Sequence, residues 1–213
     1  MSNFKIQVDK DHYKKEYNSV PKFISYFYQI DITEQLKPKR ILEIGVGNGI
    51  VSNYFKTNYN NIDTCDFEKK LNPDFCADIR NMPIKSSQYD LVMACEVLEH
   101  MPYSDFEKAL SEIKRVSKKY VLVSIPYCAL SFEMTIKIPG LRKIINRRFL
   151  DFFFRFPMFF KKPKFNGEHY WEIGTRGYSL KKVRKDIEKH FNIKKEIRPI
   201  MNSYDHFFLL EKK

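Results

Sequence analysis

The chain has 213 residues, 43% hydrophobic and 15% aromatic, with a formal net charge of +12. That content buries a sizeable core and excludes a disordered chain, while the polar opening MSNFKIQVDKDHYKKEY sets aside a secretory leader. Cys65, Cys76, Cys95 and Cys128 are scattered with no Cys-x-x-Cys pair, so no disulfide framework and no metal site is expected, and the positive charge asks for an anionic partner without choosing among nucleic acid, phosphorylated substrate and membrane.

In chain order, helical spacing predicts a helix over 21–36. RILEIGV (40–46) is an apolar run ending in glycine and reads as a buried strand; IVSNYFKTN (50–58) follows as a helix and NIDTCD (61–66) as a second strand. A short third strand is placed near 74–77 and a fourth at YDLVMAC (89–95). Phe106, Leu110, Ile113 and Val116 give an amphipathic helix over 104–119, with Ser104 as its expected N-cap, before the fifth strand YVLVSIP (120–126).

Residues 128–173 break this alternation with a basic, aromatic insertion. The pattern resumes with Ser179 capping a helix to about His190, then strands over 192–200 and 203–212. The link between these last two is too short for a parallel crossover, so the final strand is expected to run antiparallel. The derived fold is α/β, a Rossmann-like doubly wound seven-stranded sheet with six parallel strands and one antiparallel, and a basic aromatic lid inserted after strand five. One domain over 1–213 is expected, made of a helical cap (1–37), a cofactor half (38–127), the insertion (128–173) and a C-terminal helix and strand pair (174–213).

The first strand ends in Glu43-Ile-Gly45-Val-Gly47-Asn-Gly49. Glycines there admit a ligand close to the backbone. A dinucleotide fingerprint would need a third glycine at position 50, which is Ile50. Asp66, at the end of strand two, can accept hydrogen bonds from ribose hydroxyls, and Asp78 follows strand three where an adenine edge would lie. The set suits a nucleoside without a pyrophosphate.

ILEIGVGNG, TCDFEKK, ADIRNMPI, YDLVMACEVLEHMP and YVLVSIP resemble, in order, the motifs of the class I S-adenosylmethionine-dependent methyltransferases, nearest the group acting on small molecules, quinones and sugars. The resemblance covers about residues 38–127. It implies S-adenosylmethionine as cofactor, with Glu43, Gly45, Gly47 and Gly49 toward the methionine part, Asp66 on the ribose, Asp78 and Ile79 on the adenine, and Cys95 and Glu96 beside the sulfonium.

Methyl transfer from a sulfonium rests on alignment and desolvation, and a hydroxyl acceptor gains from a positioned base. His100 follows strand four, at the crevice end of the sheet, and is the first candidate base; packing or capping is its structural alternative. His169 is the second. No Asn/Asp-Pro-Pro-aromatic run follows strand four, which weighs against amino methylation of nucleic acid.

Residues 131–165 hold nine basic side chains against Glu133 and Asp151, a net +7, and nine phenylalanines. The stretch reads as a packed lid over the substrate or as a basic surface lying in an anionic membrane interface; it is too interrupted to span a bilayer, which takes about 20 apolar residues. Arg147 and Arg148 within it, and Tyr170 and Trp171 beyond it, are the candidate acceptor-binding residues. The expected function is methylation of a small-molecule or sugar/glycan-precursor hydroxyl by a cytoplasmic protein, with peripheral contact at the inner membrane surface left open. Methylation of tRNA or another nucleic acid, and a non-catalytic binding module retaining the fold, are the alternatives.

Overall fold

The computed structural model describes residues 18–140, 150–165 and 167–213. In order the elements are α1 (Val20–Leu36), β1 (Ile41–Ile44), α2 (Ile50–Asn58), β2 (Ile62–Asp66), β3 (Phe75–Cys76), β4 (Tyr89–Cys95), α3 (Phe106–Val116), β5 (Ser117–Pro126), β6 (Ala129–Ile136), β7 (Leu150–Pro157), α4 (Leu180–Glu188), β8 (Phe191–Ile197) and β9 (Asp205–Lys212).

Seven strands form one sheet in the order β3-β2-β1-β4-β5-β9-β8. The pairings β3–β2, β2–β1, β1–β4 and β4–β5 are parallel, and β9 runs antiparallel to both β5 and β8. Six strands therefore share one direction and β9 opposes them, as the short 192–212 connection predicted. The central strands are largely apolar because both faces are covered. Ile41, Leu91, Met93, Leu122 and Phe207 meet Ile32 of α1 and Val51 and Phe55 of α2. Leu42, Val92, Ala94, Val121, Val123 and Leu210 meet Phe106, Leu110 and Ile113 of α3 and Val183 and Ile187 of α4.

The expected boundaries shift in two places. Ser104 lies in a 3-10 turn and does not cap α3; Asp105 takes the cap position and spends its carboxylate on Arg80, 2.6 Å away. β5 begins at Ser117, so Ser-Lys-Lys joins the strand rather than the helix. Ser179 caps α4 as expected, its hydroxyl accepting from the Lys182 amide.

The insertion contains secondary structure that the sequence reading left out. β6 and β7 pair antiparallel as a separate two-stranded sheet. Its register places Leu130 opposite Phe156, Phe132 opposite Phe154, Met134 opposite Phe152 and Ile136 opposite Leu150. Side chains alternate across a strand, so these eight share one face. The other face carries Ser131, Glu133, Thr135, Asp151, Phe153 and Arg155 and is tied to the loop before β9. Arg198 pairs with Glu133 at 3.1 Å and with Asp151, and stacks over Phe153 at 3.8 Å. Arg155 lies 4.0 Å over Tyr127 and donates to the Ser203 carbonyl. No helix of the described residues is long and apolar enough to cross a membrane.

Candidate active site

The ends of β1, β2 and β4 open onto one crevice, because these strands are adjacent and parallel. The glycine loop lines it. Gly45, Gly47 and Gly49 all have positive φ, at 82°, 53° and 73°, a region that favours glycine. A Cβ on Gly45 would stand 2.5 Å from Val97 Cγ2, so the loop after β1 is pressed against the turn after β4. Glu43 is buried on β1, and one of its carboxylate oxygens has no hydrogen-bond partner among the described residues. Burial pushes its carboxyl up to about 8.

Asp66 is held at the end of β2 by two backbone amides, Val46 on Oδ2 at 2.8 Å and Glu68 on Oδ1 at 2.9 Å. Burial raises its carboxyl despite these bonds. Val46 belongs to the glycine loop, so Asp66 is anchored to the element it would serve. Asp78 is clamped by Arg80, which also reaches Asp105; the neighbouring Ile79 is buried. Cys95 ends β4, and burial raises its thiol well above the usual range. Glu96 has a φ of 55°, which costs a non-glycine residue about 1–3 kcal/mol and marks a site worth reading. Its amide donates to the Ser124 carbonyl and its carboxylate accepts from the Ser124 hydroxyl at 3.0 Å. Burial first, then the charges of Asp205 and Glu99, lift the Glu96 carboxyl far above the ordinary range.

His100 and His169 lie 69 positions apart in sequence and meet here. Their rings are edge to face with centroids 5.0 Å apart, and Nε2 of each is 3.9 Å from Oε1 of Glu99. The 3-10 turn Leu98–His100 carries two of the three. The segment 168–173 supplies the third because it is laced to that turn and to β5: Tyr170 N donates to the Glu99 carbonyl, Trp171 Nε1 to the Met101 carbonyl, and Ile173 N to the Pro126 carbonyl. His169 Nδ1 bonds Glu172 Oε1 at 3.0 Å, and Tyr204 donates to the same carboxylate at 2.8 Å. Burial works to lower the His169 imidazolium, but the Glu172 bond and the charge of Glu99 outweigh it and raise it.

One expectation about acceptor binding changes. Trp171 is 1% exposed, wedged against Tyr103 at 4.7 Å and Phe106 at 5.2 Å, so its ring is core and presents no face to an acceptor. Tyr170 is half-buried and stacks on Phe165 at 4.4 Å. Arg147 and Arg148 lie outside the described residues. The sequence reading leaves Glu99 without a role, counts Glu172 only within the 168–172 acceptor segment, and misses Tyr204 and Asp205 altogether. Glu99 and Glu172 had a signal, standing one and three residues from the candidate histidines, whereas nothing in the spacing points to Tyr204 and Asp205.

Residues 42–124 match a family model described as a methyltransferase domain. No curated protein matches the chain in sequence. Among solved structures, 1,6-didemethyltoxoflavin-N1-methyltransferase of Burkholderia thailandensis, solved with 1,6-didemethyltoxoflavin and S-adenosylhomocysteine, is similar at 10% identity and TM-score 0.62 over 95% of this chain and 83% of that one. An S-adenosylmethionine-dependent methyltransferase of Clostridium acetobutylicum is similar at 11% identity and TM-score 0.61 over 95% and 96%. Magnesium protoporphyrin IX methyltransferase of Synechocystis, solved with S-adenosylhomocysteine, shows 13% identity and TM-score 0.56 over 91% and 84%. At such identities the structures speak for the fold; residues 42–124 match a methyltransferase domain, and together the two findings support S-adenosylmethionine-dependent methyl transfer on a Rossmann-like fold.

Proposed function

We propose that the chain moves the methyl group of S-adenosylmethionine to a hydroxyl of a small-molecule or sugar/glycan-precursor acceptor held at a membrane surface. The observation that carries the acceptor class is the juxtaposition of Glu99, His100 and His169 beside the glycine loop. A hydroxyl must shed its proton as the O–CH3 bond forms, and this cluster is placed to manage that proton. The donor is already activated, so the remaining work is alignment and exclusion of water. Glu43 and the Gly45–Gly49 loop would face the methionine part, Asp66 the ribose, Asp78 with Ile79 the adenine, and Cys95 and Glu96 the sulfonium side.

Labelling tests the reading. With the S-adenosylmethionine methyl group labelled, cell extract is methylated and then treated with mild base. A hydroxyl acceptor gives a methyl ether that survives base and is released as methyl iodide by hydriodic acid; label lost as methanol in base would mean a carboxyl acceptor, label resisting both treatments an amine, and label precipitating with RNA a nucleic-acid substrate, any of which overturns the proposal.

Cofactor binding is checked separately. By calorimetry, Asp66→Ala should weaken S-adenosylhomocysteine by about 1–3 kcal/mol, the cost of leaving ribose hydroxyls unpaired. An unchanged affinity would remove Asp66 from the site.

The membrane contact is supported by the β6–β7 sheet. Leu130, Phe132 and Phe154 are 62%, 62% and 65% exposed, and Met134, Ile136, Phe152 and Phe156 of the same face are exposed too. The chain joining the two strands, 137–149, contributes Lys137, Arg142, Lys143, Arg147 and Arg148 with no acidic residue, and Lys161, Lys162 and Lys164 follow β7. An apolar face whose strands are flanked in sequence by cations fits an anionic bilayer, where each basic side chain near the surface contributes about 1 kcal/mol. The protein should co-sediment with phosphatidylserine-containing vesicles, less so at high salt, and Phe132→Ser/Phe154→Ser should release it. Sedimentation with phosphatidylserine-containing vesicles no greater than without vesicles would exclude the bilayer, and a concentration-dependent dimer abolished by the same pair would assign the face to a second copy.

A further inference from the structure

The Glu99–His100–His169 cluster has the form of a cation site. One ligating atom from each residue lies within 4.8 Å of the others. Glu99 is 0% exposed, and neither of its carboxylate oxygens has a hydrogen-bond partner among the described residues. A fully buried carboxylate is costly to ionise unless positive charge accompanies it, and Lys22 and His169 supply part of that charge. Both imidazoles are already set in the orientation a metal requires. His100 Nδ1 is 3.0 Å from the Glu168 carbonyl oxygen, which can only accept, so the proton sits on Nδ1. His169 Nδ1 is 3.0 Å from the Glu172 carboxylate, with the same consequence. In the neutral form of each ring Nε2 then carries the lone pair, and each Nε2 stands 3.9 Å from Glu99 Oε1, where a cation would displace the proton of an imidazolium. Carboxylate or carbonyl on Nδ1, with the lone pair of Nε2 turned inward, is the outer-shell arrangement that orients metal-binding histidines.

We propose that Glu99, His100 and His169 bind one divalent first-row transition ion. Two imidazole nitrogens and one oxygen select zinc, manganese, iron or cobalt over calcium and magnesium, which take oxygen ligands. Three protein ligands leave open positions for a substrate atom. The inference rests on the acceptor reading above and deepens it. An ion in this place polarises the acceptor hydroxyl, so that the proton is released, the O–CH3 bond forms and the S–CH3 bond breaks, giving methyl ether, S-adenosylhomocysteine and one proton.

The scattered cysteines gave no hint of such a site, because its histidines belong to elements far apart in the chain. Cobalt(II) is a suitable probe. The full-length protein, stripped with chelator, should take up one equivalent of cobalt with visible d–d absorption and unfold at higher temperature when loaded. Glu99→Gln and His169→Ala should abolish the absorption, and Glu172→Gln should weaken cobalt by about 10–100-fold, the usual loss for an outer-shell partner. S-adenosylhomocysteine affinity and the unfolding temperature of the unloaded variants report whether they are folded. Absence of saturable cobalt uptake, or uptake unchanged in the folded variants, overturns the site. Methyl transfer to a hydroxyl at full rate in chelator would overturn the metal while leaving the acceptor reading intact; one bound cobalt with label found only as methyl ester would do the reverse.

Discussion

Trp171→Ala should destabilise the fold by about 3–5 kcal/mol, the range for removing a large buried aromatic. The ring is fully enclosed, meets Tyr103, Phe106 and Tyr178 within 5.8 Å, and its indole N–H satisfies the Met101 carbonyl at 3.2 Å. Truncation therefore opens a cavity in the α3 side of the core and leaves a buried carbonyl without its donor. For a chain of this size each kcal/mol moves the midpoint by about 2–4 °C, so a drop of roughly 6–20 °C is expected in a thermal scan. Trp171→Phe should recover much of it by refilling the volume. A variant melting within a degree or two of the parent would mean that the ring is not part of the core, and would return it to the acceptor site.

Gly45→Ala should abolish measurable binding of S-adenosylhomocysteine at micromolar concentrations. Two effects add. A left-handed backbone costs an L-residue about 1–2 kcal/mol, and the new methyl would stand 2.5 Å from Val97 Cγ2, a contact that real structures do not keep. Val97 is β-branched and has little rotamer freedom with which to yield. Either the loop after β1 moves out of the crevice or the turn carrying Glu99 and His100 moves with Val97. Adding Val97→Ala removes the clash but not the φ penalty, so the double variant should regain part of the affinity. Calorimetry on all three proteins distinguishes these outcomes; wild-type affinity in Gly45→Ala would mean that the loop does not meet the ligand.

What the sequence disclosed follows from where its signals arise. β1, β4 and β5 are buried on both faces, so their composition alone names them. The antiparallel β9 followed from a connection too short to cross over. The hairpin was missed for a different reason. Leu130, Phe132, Met134 and Ile136 do alternate, but Asp-Phe-Phe-Phe-Arg-Phe in β7 blurs its own period, and an alternating apolar row ordinarily marks a face turned to the core. Here that row points outward. Trp171 was misjudged because a Tyr-Trp pair reads equally well as a binding platform or as packing, and only the neighbours decide. The pairing of His100 with His169 depends on Tyr170, Trp171 and Ile173 bonding to the β4 turn and β5, contacts that no local pattern encodes.

The place of β9 in the sheet sets an order of assembly. β8 touches the rest of the sheet only through β9, which lies between it and β5. During synthesis β8 emerges first and has no strand partner until β9 arrives. Ser203, Tyr204 and Asp205, which tether the β6–β7 sheet and crowd the Glu99 cluster, arrive with β9. The crevice is therefore among the last parts of the molecule to become complete. Until then the phenylalanine-rich hairpin lacks its anchor, and a nascent chain paused before β9 offers an unpaired strand and an apolar face to a chaperone or to a neighbouring copy.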